Sequence, residues 1–166
     1  GLALCMRAFE RAQRGMGGLV LIGGEAGIGK TRLVEAAADA ALAAGFSVVW
    51  GRAIEAGSAP AFWPFSEVLR GLLWKDEELA SRLGERRRLA LATLAPELNH
   101  EAAQPLALHA LPSQHARFLL LEAFANLLSQ AAARTPLLVV FEDMHAADLD
   151  SLQGLEPLAS QVRSAK

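Results

Sequence analysis

Gly24-Glu25-Ala26-Gly27-Ile28-Gly29-Lys30-Thr31 fits the spacing G-x-x-x-x-G-K-[ST] at every fixed position. What flanks it decides the fold. Gly18-Leu-Val-Leu-Ile-Gly23 before it reads as a short buried strand. The Ala-rich run from Thr31 to about Ala44 reads as an amphipathic helix, with Gly45 as its C-terminal stop. A strand, a glycine loop and a helix in this order aim successive backbone N–H groups and the positive end of a helix dipole at one point. A polyphosphate fits there. Gly24, Gly27 and Gly29 allow positive φ and close approach of the backbone. Lys30 offers a point charge for the terminal phosphates, and the Thr31 hydroxyl offers a ligand for the bridging Mg²⁺. Glu25, Ala26, Ile28 and Arg32 complete the expected nucleotide-binding set.

Downstream, Phe46-Ser-Val-Val-Trp-Gly51 reads as a second buried strand. A strand–helix–strand unit of this length implies parallel pairing. The pattern from Arg52 to Pro112 is irregular: a loop over Gly57 to Pro60, a helix from about Ser66 to Trp74, a charged helix from about Glu77 to Ala95, and a connector from Pro96 to Pro112. Ser113 stands as N-cap of a long helix to about Arg134, which Pro136 breaks. Leu2 to Arg14 reads as an amphipathic helix ending at Gly15. The third strand, Pro136-Leu-Leu-Val-Val-Phe141, runs into Glu142 and Asp143. One acid at the tip of a buried parallel strand can bind Mg²⁺ near Thr31, and a second can orient a water. Glu142 and Asp143 are therefore the candidate catalytic and metal-binding pair, their division of labour open. The expected class is α/β, with helices flanking a parallel sheet.

With 166 residues, 52% of them apolar and 20% charged, the chain is sized for one domain with a substantial core. A net charge of −2 gives no electrostatic case for direct binding to nucleic acid or an anionic membrane. The apolar runs are strand-sized, too short to span a bilayer. The N-terminus lacks a basic region followed by an apolar run, and the lone Cys5 excludes a disulfide framework, so a cytoplasmic setting is expected. His100, His109, His115 and His145 have no partner at zinc-site spacing. His145 and Asp148 either sense a γ-phosphate or cap the last helix. Arg117 either faces a nucleotide or lays its stem on the core. Phe62, Trp63 and Phe65 read as core packing around Pro60 and Pro64, and Arg86-Arg87-Arg88 as a solvated helix face.

Three blocks carry a family resemblance: GGEAGIGKTRLVEAAADAALAAG, VVWGRAIEAGSAPAFWPFSEVLR and ARFLLLEAFANLLSQAAARTPLLVVFEDMHAADLDSL. Together they resemble P-loop NTPases of the STAND class, closest to the ATP-binding module of large LuxR-type transcriptional regulators. Three departures stand out. Ala146 occupies the place of a Trp, and Glu142 that of the first acid; Gly1-Leu2-Ala3 does not reproduce the Gly-Arg-Glu motif that helps hold adenine. The resemblance implies a three-layer P-loop NTPase fold, with residues 18–23 as the Walker A strand and residues 136–141 as the Walker B strand, truncated after the latter. It also implies a sheet missing the sensor strand that lies between the Walker A and Walker B strands. On that reading residues 1–166 are a single partial domain, a fragment of a longer parent. ATP and Mg²⁺ are the implied ligands. Regulatory and DNA-binding domains outside this chain, and a homo-oligomeric parent, are the implied partners. The implied function is a slow Mg-dependent ATPase used as a switch. The alternatives are a nucleotide-gated scaffold without hydrolysis and a P-loop kinase acting on a small molecule.

Overall fold

A computed structural model describes residues 1–55, 58–98 and 113–164. The elements in order are α1 (Leu2–Gln13), α2 (Lys30–Ala43), β1 (Ser47–Arg52), α3 (Trp63–Lys75), α4 (Glu85–Leu91), α5 (Ser113–Arg134), β2 (Leu137–Glu142) and α6 (Leu149–Gln161). β1 and β2 pair in parallel from Ser47 opposite Leu137 to Arg52 opposite Glu142. The result is a mixed α/β fold with a parallel two-stranded sheet.

Side chains of a strand alternate between faces, and here both faces are apolar. Val48 and Val140 point into a cluster with Cys5 and Phe9 of α1 and Ala37, Ala38 and Ala41 of α2. Val49, Val139 and Phe141 point the other way, against Phe65, Val68, Leu69 and Leu72 of α3 and Phe124 of α5. The alanines of α2 let that helix lie close to the sheet. On the opposite face Phe65 is the hub, its ring 5.0 Å from those of Phe124 and Phe141 and 5.4 Å from Phe62. Burying such a ring contributes roughly 1.5–3 kcal/mol. Gly51 permits the closest approach of sheet and helix, because a Cβ there would collide with the Pro64 carbonyl and come within 2.9 Å of Val68.

Residues 18–23 depart from the expected strand. No strand is assigned there, and no backbone hydrogen bond joins them to another described segment. Val20 and Ile22 still lean on the α1–α2 cluster, while Leu19 is 50% and Leu21 78% exposed. The period-two alternation is present without a ladder. A strand needs a neighbour to satisfy its N–H and C=O groups, and β2 pairs only with β1 among the described residues.

Other boundaries shift for local reasons. α3 begins at Trp63 rather than Ser66, because Pro64 suits a first helical turn and Phe62 turns the chain with φ of 61°. The charged segment expected as one helix over 77–95 splits into a 3-10 turn (Glu77–Arg82) and α4, with Leu83 and Gly84 extended between them. Gly84 supplies the break, since glycine is a poor helix former. Gly57, the 99–112 part of the connector with His100 and His109, and the side chain of Ser113 with its capping role lie outside the described residues.

Two substitutions test this packing. Gly51→Ala should destabilise the chain by about 1–3 kcal/mol through overpacking. Leu21→Ser should change stability by less than about 0.5 kcal/mol, as expected of an exposed position. Urea unfolding followed by circular dichroism reads both. A large loss for Leu21→Ser would mean that residues 18–23 are buried in a sheet after all.

Candidate functional site

The loop ahead of α2 is built from glycines in conformations other residues avoid. Gly27 has φ of 78° and Gly29, the residue before the helix, 95°. A Cβ at either would meet no atom within 4 Å, so backbone conformation rather than crowding calls for glycine. α2 then starts at Lys30 with no side-chain cap and no acidic residue in its first turn. The first N–H groups of a helix have no acceptor within it, so this end is an uncompensated donor cluster that favours an anion. Lys30 Nζ donates to the carbonyls of Gly24 at 2.9 Å and Glu25 at 2.8 Å, bending back over its own loop. Glu25, Ala26, Ile28, Thr31 and Arg32 are exposed around it.

Chain direction brings this loop to the same end of the sheet as the acids. α2 leads through a short turn at Ala44-Gly45 into the start of β1, so it runs back along the strands. Its 14 residues span about 21 Å, and the six residues of β1 about 20 Å. α2 packs on the sheet face of Val48 and Val140, and a helix of that length leading back into β1 starts toward the strand ends, where Glu142 closes β2. Asp143 follows in the left-handed region, with φ of 55°. That turn takes the chain out of the sheet into a short 3-10 turn, Met144–Ala146. The hydroxyl of Thr31 and the carboxylates of Glu142 and Asp143 are hard oxygen donors, the kind Mg²⁺ takes. No hydrogen bond joins Thr31 or Lys30 to either acid among the described residues.

Glu142 is instead held by an arginine that the sequence reading did not single out. Arg52 ends β1 directly opposite it. Arg52 Nε and Nη2 donate to Glu142 Oε2 at 3.1 and 2.6 Å, and Nε lies 3.9 Å from Asp143 Oδ2. The hydrogen bond and the charge of Glu142 raise the Arg52 guanidinium above its ordinary value. The backbone is pinned as well: Ala53 N donates to the Glu142 carbonyl at 2.9 Å, and Arg52 N to Glu67 Oε2 at 2.6 Å. Trp50, Arg52, Glu67, Arg70 and Glu142 line an open cleft of about 530 Å³. Arg52 stands within the VVWGRA block, but only knowledge of the strand register could place it against Glu142.

The remaining candidates resolve into structural parts. Asp148 caps α6: its carboxylate accepts from Ser151 N at 2.9 Å, Ser151 Oγ at 2.6 Å and Phe62 N at 3.2 Å. It thereby ties the turn before α3 to the start of α6. Arg117 joins α5 to α6 through Asp150 at 3.1 Å and Gln153 at 2.8 Å, with its guanidinium 6.0 Å from the Phe62 ring centre. Phe62 and Phe65 are core, as expected, while Trp63 is half-buried under Arg70. Arg87 pairs with Glu122 at 2.9 Å, and Arg88 donates to the Leu98 carbonyl, so the arginine run is partly tethered. His145 is exposed in the 3-10 turn. Among the described residues no three His, Cys, Asp or Glu side chains gather as a metal site, and no helix is long and apolar enough to cross a membrane.

A glycine loop feeding an uncapped helix, with an acidic pair at the tip of a parallel strand, defines the P-loop NTPase type of site. The chain belongs to the AAA ATPase domain family, whose model matches residues 2–166. Family membership implies nucleotide binding, usually with Mg²⁺. No curated protein and no solved structure matches the chain.

Asp148→Ala should cost about 1–2 kcal/mol, the scale of a lost N-cap. It also leaves the buried Ser151 without its acceptor. Chemical denaturation measures the loss; an unchanged midpoint would return Asp148 to the list of candidate nucleotide sensors.

Proposed function

We propose that this chain binds Mg-ATP at Gly24–Arg32 and hydrolyses it slowly, as the switch module of a larger signalling or transcriptional regulator. The observation that carries the reading is the positive-φ loop opening onto the uncapped start of α2, with Lys30 bent across its mouth. Backbone N–H groups of Gly27 to Thr31 bind the phosphates. Lys30 leaves its carbonyl partners for the phosphate oxygens, an exchange of neutral acceptors for charged ones. Thr31 and one of Glu142 and Asp143 would hold Mg²⁺, which would supply charge neutralisation at the phosphates. The other acid orients the attacking water. The wider arrangement is that of a three-layer P-loop NTPase, with regulatory and DNA-binding regions in further domains and self-association of the parent protein.

A nucleotide-gated scaffold without hydrolysis is the second reading. The observation that favours it is the engagement of Glu142 by Arg52, which occupies the acid the hydrolytic step needs.

Lys30→Ala should weaken Mg-ATP binding about 10- to 100-fold, the range of charged hydrogen bonds, and leave the circular dichroism spectrum unchanged. Equal affinity by calorimetry would remove the assignment. The double substitution Glu142→Gln with Asp143→Asn should keep nucleotide binding and abolish phosphate release. Turnover that survives in it would exclude these acids from the chemistry, and an inactive wild type that still binds ATP would select the scaffold reading.

A further inference from the structure

We propose that Arg52 is a positioning residue that guards Glu142, competing with Mg²⁺ for the same carboxylate, so that metal–nucleotide loading releases Arg52 into the cleft beside Glu67. This rests on the reading of Glu142 as an acid of the Mg-nucleotide site. The Glu142 side chain is only 11% exposed, whereas that of Arg52 is 63% exposed. A carboxylate so enclosed needs a cationic partner, and Arg52 is the one it has among the described residues.

The parallel register sets this pair. Arg52 and Glu142 are partners in the ladder, so both side chains leave the sheet on one face at its very end. Both donated bonds converge on Oε2. Among the described residues Oε1 carries no such bond, so a divalent ion there would share the carboxylate with a guanidinium, and like charges so close weaken each other's hold. Metal binding therefore favours one cation leaving. Arg52 is the one free to do so, because its backbone is anchored by Glu67 and Glu142 while its head is largely in solvent. Its destination is also at hand: the Glu67 carboxylate already receives the Arg52 N–H and faces the same cleft. Two acids lining one cleft with a single arginine between its two acceptors make a two-position device whose state reports whether metal occupies Glu142.

The test measures ADP affinity by calorimetry across a series of Mg²⁺ concentrations, and in chelator, for wild type, Arg52→Ala and Arg52→Lys. Removing the competitor should lower the Mg²⁺ concentration of half-effect about two- to fivefold, the range of a partly exposed ion pair. Arg52→Lys should fall between the two, and affinity in chelator should stay the same in all three. In a Glu142→Gln background, Arg52→Ala should no longer shift the Mg²⁺ requirement. Thermal melting gives a second readout: Arg52→Ala should melt below wild type in chelator and gain more from Mg-ADP.

An unchanged or higher Mg²⁺ requirement in Arg52→Ala, with Mg²⁺-dependent binding intact in wild type, overturns the guard alone. Weaker ADP binding in chelator also overturns it, by making Arg52 a phosphate ligand. Wild-type binding that ignores Mg²⁺ overturns the metal-site reading, and the guard with it.

Discussion

The in-register parallel pairing of β1 with β2 is the constraint on which the rest of the molecule depends. It fixes which side chains face α1 and α2 and which face α3 and α5, so both apolar clusters follow from it. It also ends both strands together, leaving Arg52 against Glu142 and the turn at Asp143 beyond them. A slip of one residue would reverse every side chain of one strand, placing Val140 against α3 and Phe141 against α2. The same slip would dissolve the acid–arginine pair. Packing and site chemistry are therefore set by one hydrogen-bonded ladder.

From that ladder the site is assembled by direction alone. A helix that leads by a short turn back into β1 and matches it in length begins toward the end of the sheet where the strands finish. The loop before α2 consequently shares an end of the sheet with Glu142, although the two come from distant parts of the chain. Each half is held in a waiting arrangement. Lys30 bonds carbonyls of its own loop, and Glu142 bonds Arg52. On the proposed reading, ligand binding would exchange these partners and give the protein two states to move between.

Much of this was legible in the sequence because it rests on local rules. Glycine spacing located the loop, apolar runs located β1 and β2 within a residue, and the long α5 was readable from its spacing up to Arg134. Asp148 reads equally as a phosphate sensor or an N-cap, and the structure shows the cap. What could not be read depends on neighbours distant in sequence. Residues 18–23 have the composition of a buried strand, yet strand formation requires a partner that composition does not report. Phe62 in the left-handed region and the Gly84 break reflect tertiary fit around α3 and α4. Arg52 went unnoticed for the same reason, since its role exists only once the register is known.

The proposed site puts phosphates where the glycine loop meets α2, with the β2 acids alongside. Amide chemical shifts of the isotopically labelled chain, followed by NMR on adding Mg-ATP, test it most directly. The largest changes are expected at Gly24 to Arg32, with a second group at Glu142 and Asp143. Changes confined to another surface, or none in a folded chain, would contradict it.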